Sequence, residues 1–176
     1  MSEEKNLEEI KKFWPQNAPD INSVQKYINK YKKELIVIKY GGNVLIDRNI
    51  FNNFIEDISI LNKLGLSIIV VHGGGPRIER KLKEESIQTK FINGLRVTDE
   101  KVISIVEDVL IDFNKDIVNS LKKKGSEAVS ITSKLNNIIK VVPDNKELGF
   151  VGIPADIDIE FLKNLKTTRP IKSAIK

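Results

Sequence analysis

Two short apolar runs, rich in β-branched side chains, predict two buried β-strands in the first half of the chain. The first run is Leu35–Tyr40 and the second is Leu66–Val71. Continuous apolar runs of this length are typical of strands that are covered on both faces. Between them, residues 49–64 carry apolar side chains at helical spacing, and Gly65 follows where a helix commonly ends. The order strand, helix, strand predicts a parallel pair with a right-handed crossover.

Both predicted strands run into glycines. Gly41 and Gly42 follow the first strand, and Gly73–Gly75 follow the second, with Pro76 in the first turn of a predicted helix. Parallel strands bring both turns to the carboxyl edge of the sheet, where ligands bind in open α/β folds. Backbone N–H groups of glycines can approach a ligand, and a helix N-terminus adds partial positive charge. The second turn therefore suits phosphate or carboxylate, although a turn that only joins strand to helix stays open.

Two basic residues lie near these turns in the predicted topology. Lys39 ends the first strand, and its side chain either extends past the sheet edge into solvent or points its charge at an anion held by the glycines. Arg96 lies on a small predicted hairpin, Phe91–Thr98, whose turn is Asn93-Gly94. Its planar guanidinium is able to hold a carboxylate through two parallel hydrogen bonds. A solvent-exposed arginine is the plainer alternative.

The rest of the chain continues the alternation of helices and strands. A short helix is predicted at 24–31 with Ser23 as its N-cap, and a long helix begins at Thr98 as its N-cap and ends before Gly125. The other predicted elements are a short helix at 3–13, strands at 128–132 and 138–142, a glycine-bent extended segment at 148–154 and a helix at 157–165. This alternation predicts an α/β fold.

Composition narrows the functional classes without choosing one. The chain has 176 residues, with 29 basic and 24 acidic side chains, and its net charge of +5 suits an anionic metabolite more naturally than a membrane. It lacks the basic patch with interleaved aromatic residues that RNA-binding modules carry, so we expect no nucleic acid partner. The absence of cysteine excludes thiolate metal sites and is compatible with the cytoplasm, and a single histidine excludes a histidine-rich metal site. The N-terminus does not resemble a signal peptide, and no apolar run approaches the roughly 20 residues of a membrane span.

Four motifs occur in a fixed order along the chain. They are Val37–Asn43, Val70–Pro76, Asn93–Thr98 and Leu148–Gly152. In this order they resemble the amino acid kinase superfamily, and the third motif resembles the acetylglutamate kinases in particular. The resemblance covers about residues 24 to 165. It implies three αβα layers around a mainly parallel central sheet. It also implies transfer of the ATP γ-phosphoryl group, with Mg²⁺, to the side-chain carboxylate of N-acetyl-L-glutamate in arginine biosynthesis.

The resemblance also implies roles for individual residues. Lys39 would stabilise the transferring phosphoryl group, and Arg96 would bind a substrate carboxylate. Gly74 and Gly75 would contact acetylglutamate, and Gly42 would line the same place. Family members with an N-terminal helix like the one predicted at 24–31 tend to be hexameric rings that arginine inhibits, so the resemblance implies a homo-oligomer.

The chain departs from the family pattern at two places. Residues 130–136 lack the glycine-containing turn that is usual there. After residue 165 the family continues into a C-terminal half that binds the nucleotide and carries a second essential lysine, whereas residues 166–176 do not look like family sequence. We therefore divide the chain into an N-terminal extension at 1–23, an acetylglutamate-binding lobe at 24–165 and an unmatched tail at 166–176. Residues 1–22 and 166–176 are expected to be poorly ordered or to pack against nothing within the chain.

Three functions remain open from the sequence. The first is an acetylglutamate kinase that is truncated and inactive alone, because the nucleotide-binding half is missing. The second is another amino acid kinase, such as a carbamate or uridylate kinase. The third is a stand-alone module that binds acetylglutamate or mediates subunit contacts without catalysis.

Overall fold

The computed structural model describes residues 11, 12, 14–41, 47–166 and 171–175, and its centre is a four-stranded parallel sheet. In chain order the elements are α1 (Ile21–Tyr31), β1 (Leu35–Tyr40), α2 (Arg48–Lys63), β2 (Ser67–His72), α3 (Gly75–Glu84), β3 (Phe91–Ile92), β4 (Leu95–Arg96), α4 (Glu100–Lys123), β5 (Ala128–Ile131), α5 (Ser133–Asn136), β6 (Ile139–Pro143), a 3₁₀ turn (Lys146–Leu148), β7 (Gly152–Ile157), α6 (Ile159–Lys166) and β8 (Ile171–Ile175). No helix in this part of the chain is long and apolar enough to cross a membrane.

The strand order in the central sheet is β1-β2-β8-β5, with every neighbouring pair parallel. This confirms the predicted α/β fold and the parallel pairing of the first two strands. Two further strand pairs, β3 with β4 and β6 with β7, form separate antiparallel hairpins. Helices α2 and α4 cover one face of the sheet.

The main core lies between the sheet and helices α2 and α4. Long, strongly periodic helices were predicted most accurately, because their apolar stripe repeats over several turns. The fully buried side chains of this core, at 1% exposure or less, are those of Ile58, Ile68, Val70, Phe113, Ile117, Leu121 and Ile171. Gly65 and Gly125 end α2 and α4 with positive φ of 86° and 80°, as predicted.

One face of β1 is open, which contradicts the prediction that both faces are covered. Val37 is 61% exposed and Lys39 is exposed, whereas Tyr40 is buried at 4%. Alternate residues of a strand point to opposite faces, and Tyr40 packs on the face that α2 and α4 cover. β1 is also an edge strand. Its apolar run therefore indicated a strand correctly but not the coverage of that strand.

The expectation that the tail packs against nothing is wrong for residues 171–175. These residues form β8, which pairs with β2 on one side and β5 on the other. Ile171, Lys172 and Ser173 are completely buried. Five residues are too few to show a hydrophobic period, and Lys172 interrupts the apolar pattern. Pairing with two neighbours through backbone hydrogen bonds leaves no mark in the side-chain pattern.

The N-terminal expectation is also wrong for the residues just before α1. Trp14 packs beside the buried pair Ile21 and Ile60, and its Nε1–H donates to the carbonyl of Pro19 at 2.8 Å. Asp20, not Ser23, caps α1, so the helix begins three residues before the predicted start. Nearly all of the helix predicted at 3–13 lies outside the described residues.

The N-cap of helix α4 also differs from the predicted residue. Asp99, not Thr98, is the N-cap, and its carboxylate accepts from the N–H of Val102 at 2.9 Å. The Thr98 hydroxyl instead donates to the carbonyl of Arg96 at 3.0 Å. The backbone of Thr98 is paired with the loop before β7, since its N–H donates to the carbonyl of Leu148 at 2.9 Å. Adjacent polar residues compete for one cap position, and tertiary contacts decide between them.

Candidate functional site

The glycine turn lies at the carboxyl edge of the sheet, where β2 leads directly into α3. The N–H of Gly73 donates to the carbonyl of Tyr40 at 3.3 Å, so the ends of β1 and β2 meet as predicted. Gly74 is the N-cap of α3 and has no side chain that could accept a hydrogen bond from the first turn. The first N–H groups of a helix have no partner within the helix. The turn therefore offers an uncapped helix N-terminus, which suits an anion.

Gly74 and Gly75 are glycines for different physical reasons. A Cβ built on Gly74 would lie 2.7 Å from Cδ2 of Leu110, because α4 passes close to the turn. A Cβ on Gly75 would meet nothing within 4 Å, and Gly75 is exposed. Gly74 therefore allows close helix packing, whereas Gly75 leaves the backbone open on the solvent side. Their predicted contacts with a substrate stay predictions.

Lys39 lies on β1 in register with Val71, close to the turn that follows β2. Its side chain projects from the sheet face opposite to Tyr40, which packs beneath α2 and α4. Among the described residues, Lys39 makes no ion pair, so its charge is available at the open face of the sheet. Gly41 has open space around it. The predicted ligand contact of Gly42 lies outside the described residues.

The side chain of Arg96 is only 15% exposed, and its guanidinium is already engaged within the chain. It donates to the carboxylate of Glu79 on α3 at 2.8 Å and to the hydroxyl of Thr89, and it lies 4.6 Å from the ring centroid of Phe91. Glu79 itself is 65% exposed, and exposed ion pairs contribute little, typically about 0–1 kcal/mol. Glu79 therefore holds one nitrogen, Nη2, of the guanidinium that was predicted to bind a substrate carboxylate, and its exposed side chain is able to turn away into solvent.

A buried hydrogen-bond network lies directly behind the glycine turn. His72, Asn114 and Ser173 come from β2, α4 and β8, and all three are 0% exposed. The side-chain nitrogen of Asn114 is 3.1 Å from Nε2 of His72 and 2.8 Å from the carbonyl oxygen of Ser173. Nδ1 of His72 is 3.1 Å from the carbonyl oxygen of Gly73. Burial lowers the pKa of His72, and the nearby charge of Arg77 lowers it further.

Arg77 fixes the first turn of α3 to α4 from the other side. Its Nη1 donates to Oδ2 of Asp116 at 2.7 Å, and its guanidinium carbon lies 3.9 Å from the ring centroid of Phe113. The ring of Phe113 also makes an edge contact with His72, with 4.9 Å between centroids. Residues Leu110–Asp116 of α4 thus contact the residue before the glycines, Gly74 itself and the first turn that follows them.

His72 and Asn114 were not predicted to be parts of this site. The single histidine was considered only as a metal ligand, and no role was predicted for Asn114. The available signal was a polar residue on the inward stripe of α4, between Leu110 and Ile117. A buried amide must find hydrogen-bond partners, so such a residue marks a specific contact. Its partner in β8 was hidden because the tail had not been recognised as a strand.

Comparisons with known proteins find relatives that agree with one another in family and name. The family model described as "Amino acid kinase family" matches residues 34–171. The acetylglutamate kinase of Pelagibacter ubique is 54% identical over 158 residues, which cover 90% of this chain and 55% of that protein. The acetylglutamate kinase of Caldanaerobacter subterraneus subsp. tengcongensis is 42% identical over 142 residues, which cover 79% of this chain and 48% of that protein. The chain thus spans about half the length of the curated relatives it matches.

Solved structures give the same fold. The protein smu.665 from Streptococcus mutans superposes with a TM-score of 0.71 at 27% identity, over 81% of this chain and 58% of that chain. N-acetylglutamate synthase from Neisseria gonorrhoeae, complexed with coenzyme A and N-acetyl-glutamate, gives a TM-score of 0.72 at 20% identity, over 88% of this chain and 36% of that chain. The second likeness concerns the fold alone. The family match spans β1, β2, β5, the glycine turn and the first residue of β8, and the chain belongs to the amino acid kinase family.

Proposed function

We propose that this chain is the acetylglutamate-binding half of an acetylglutamate kinase. The observation that carries the proposal is the 54% identity to an acetylglutamate kinase over 90% of the chain. The geometry supports it, because an uncapped helix N-terminus and the end of the Lys39 strand lie together at the carboxyl edge of the sheet. The alternatives of a carbamate or uridylate kinase, or of a stand-alone binding module, have no specific observation in their favour.

In the proposed reaction the side-chain carboxylate of N-acetyl-L-glutamate attacks the γ-phosphorus of ATP. The bond from that phosphorus to the β,γ-bridging oxygen breaks, ADP leaves with the bridging oxygen, and the carboxylate becomes an acyl phosphate. Both groups are anionic, so positioning and cationic groups supply most of the catalysis. Lys39 would offset charge on the transferring phosphoryl group, and the backbone of Gly74 and Gly75 would hold the substrate. Arg96 would bind a substrate carboxylate in place of Glu79. A bound carboxylate would gain two parallel hydrogen bonds from the fork.

The co-substrate ATP and its Mg²⁺ would bind mainly to the other half of the enzyme. Among the described residues, no group of three or more acidic, histidine or cysteine side chains could hold a metal ion. Mg²⁺ would arrive with the phosphates of ATP, and we derive no step through it. We also propose, from the resemblance alone, that the complete enzyme is a cytoplasmic homo-oligomer.

We propose further that the chain alone does not transfer phosphoryl groups at a useful rate. Holding two reactants in the right geometry is worth roughly 7–11 kcal/mol of barrier. A chain that binds only the acceptor forfeits most of this contribution. A missing cationic donor around the phosphoryl group costs on the order of 2.7–4 kcal/mol more. The chain alone is therefore expected to bind acetylglutamate but not to phosphorylate it at a useful rate.

Two measurements on the purified chain test these proposals. Isothermal titration calorimetry should detect binding of N-acetyl-L-glutamate and much weaker binding of L-glutamate, which lacks the acetyl group. A coupled ADP-release assay, with Lys39→Ala as the control, should detect no turnover above background. Binding of carbamate or uridylate in preference to acetylglutamate would favour another kinase of the family. Turnover near that of full-length relatives, abolished by Lys39→Ala, would show that this half is sufficient.

A further inference from the structure

We propose that Asn114 and His72 are positioning residues that aim the N–H of Gly74 at the bound anion. They act through a chain of hydrogen bonds that begins at the carbonyl of Ser173 in β8 and ends at the carbonyl of Gly73 in the turn. Neither side chain needs to touch the ligand. The inference deepens the proposed function, on which it rests only for the identity of the anion.

The orientation of the Asn114 amide is fixed by β8. Its partner in β8 is the backbone carbonyl oxygen of Ser173, 2.8 Å away, and a carbonyl oxygen only accepts hydrogen bonds. Asn114 must therefore present its NH₂ group, not its oxygen, toward β8. Both residues are completely buried, so solvent offers no alternative partner.

The same NH₂ group fixes the tautomer of His72. Its second hydrogen lies toward Nε2 of His72, with 3.1 Å between the nitrogens. A donor facing Nε2 requires a lone pair there, so the proton of the neutral ring must sit on Nδ1. The Nδ1–H then donates to the carbonyl of Gly73, 3.1 Å away. If the proton of the ring were on Nε2, the Nε2–H would face an N–H of Asn114, and two donors would meet without an acceptor. The carbonyl of Gly73 would then receive no hydrogen bond from the ring.

The carbonyl of Gly73 determines where the next N–H points. The peptide between Gly73 and Gly74 is trans, as are all peptides in the described part of the chain, and a trans peptide directs its C=O and N–H in opposite directions. Since the carbonyl turns toward the buried ring of His72, the Gly74 N–H turns away from it. Among the described residues, no carbonyl or side chain accepts from that N–H. The first N–H groups of a helix have no partner within the helix, so this one is available to an anionic ligand.

Loss of Asn114 should therefore act at a distance from the ligand. Without the amide, both ring tautomers become possible, and the peptide between Gly73 and Gly74 is free to rotate. A ligand then loses one oriented backbone donor. One hydrogen bond is worth roughly 0.5–1.5 kcal/mol, so affinity should fall by up to about tenfold.

The single histidine makes the first step measurable without any variant. Nitrogen-15 NMR of the 176-residue chain, without ligand, should show one imidazole whose Nδ1 has the chemical shift of a protonated ring nitrogen and whose Nε2 has that of an unprotonated one. A proton on Nε2, or rapid averaging between the two tautomers, would overturn the proposal. This result is independent of which anion the chain binds.

Variants test the remaining steps. Asn114→Ala should lose the pure Nδ1–H signature, shift the amide resonance of Gly74 and weaken N-acetyl-L-glutamate binding by up to about tenfold. Asn119→Ala is the matched control, because Asn119 lies on the same helix but is exposed, and it should change none of these. An Asn114→Ala chain that folds with the tautomer and the Gly74 resonance unchanged would contradict the inference. If the wild-type chain shows the predicted tautomer yet binds no acetylglutamate, the proposed function fails and the hydrogen-bond network stands.

Discussion

Substitution of the two central glycines of the turn should have opposite effects on stability. Gly74→Ala is expected to destabilise the chain, because its new Cβ would lie 2.7 Å from Cδ2 of Leu110. Carbon atoms in contact normally lie about 3.5–4.0 Å apart. Leu110 packs beside the buried residues Ile78 and Leu82, so its movement disturbs a cluster and not a single side chain. Gly75→Ala meets nothing within 4 Å and lies inside a helix.

The magnitudes separate the two variants clearly. Overpacking a core typically costs about 1–3 kcal/mol, and alanine at an N-cap adds roughly 0.5–1 kcal/mol for Gly74→Ala. Gly75→Ala should stabilise by roughly 0.4–1 kcal/mol, because alanine restricts the unfolded chain and suits the helix. In a domain of this size, 1 kcal/mol shifts Tm by about 2–4 °C. The two variants should therefore melt on opposite sides of the wild type.

Thermal denaturation followed by circular dichroism measures both shifts under identical conditions. A double-mutant cycle isolates the steric part, since Leu110→Ala removes the methyl group that the new Cβ would meet. Gly74→Ala should cost less in the Leu110→Ala background than in the wild type, with the cap contribution remaining. The reasoning is refuted if Gly74→Ala and Gly75→Ala change Tm equally, or if the two substitutions at 74 and 110 are simply additive.

Three further predictions concern the tail and the arginine on the hairpin. Removal of residues 171–176 should give a chain with helical circular dichroism but no cooperative thermal transition, because β8 is the strand between β2 and β5; a cooperative transition in the shortened chain would contradict this. Burial lowers the pKa of Lys172, so the folded chain binds fewer protons than the unfolded chain as pH approaches the ordinary value of 10.5. Urea titrations should show the free energy of unfolding rising with pH toward that value, and Lys172→Met should remove the part of the rise that Lys172 causes; an equal rise in both chains would contradict this. Arg96→Ala should weaken N-acetyl-L-glutamate binding by about 1.5–3 kcal/mol in calorimetry, whereas Arg80→Ala, whose side chain is 72% exposed, should leave it unchanged; equal effects of the two substitutions would show that Arg96 does not bind the substrate.

The elements that were predicted well are those whose pattern repeats. Helix α4 runs over 24 residues, and its apolar positions recur often enough to give both its extent and its inward face. The glycine turn was predicted from local chemistry, since three glycines before a proline leave few alternatives. The hairpin at Asn93-Gly94 was likewise local, and both residues have positive φ, 49° and 79°.

The elements that were missed depend on contacts between distant parts of the chain. Asp20 and Asp99 replaced the predicted Ser23 and Thr98 as N-caps, and neighbouring candidates cannot be ranked from their order alone. The exposure of Val37 depends on which other segments lie against that face of the sheet. In the candidate site, the predicted parallel topology already brought the ends of β1 and β2 together. The hydrogen-bond network behind the glycines was not predicted, because one of its members lies in β8, which had not been recognised as a strand. The predicted ligand contacts of Lys39, Gly74, Gly75 and Arg96 stay predictions, which the binding experiments test.

The position of β8 also places a backbone acceptor behind the glycine turn. β2 and β5 are not neighbours in the sheet, and β8 fills the space between them with parallel pairing on both sides. It buries Ile171 in the main core and presents the carbonyl of Ser173 to Asn114. The glycine turn therefore depends on backbone from a segment beyond the last resembling motif. A shortened chain that ends at residue 165 would retain every motif glycine and Arg96, yet it would lack the acceptor that orients Asn114. We therefore regard residues 171–175 as part of the binding lobe, and the tautomer of His72 reports whether they are in place.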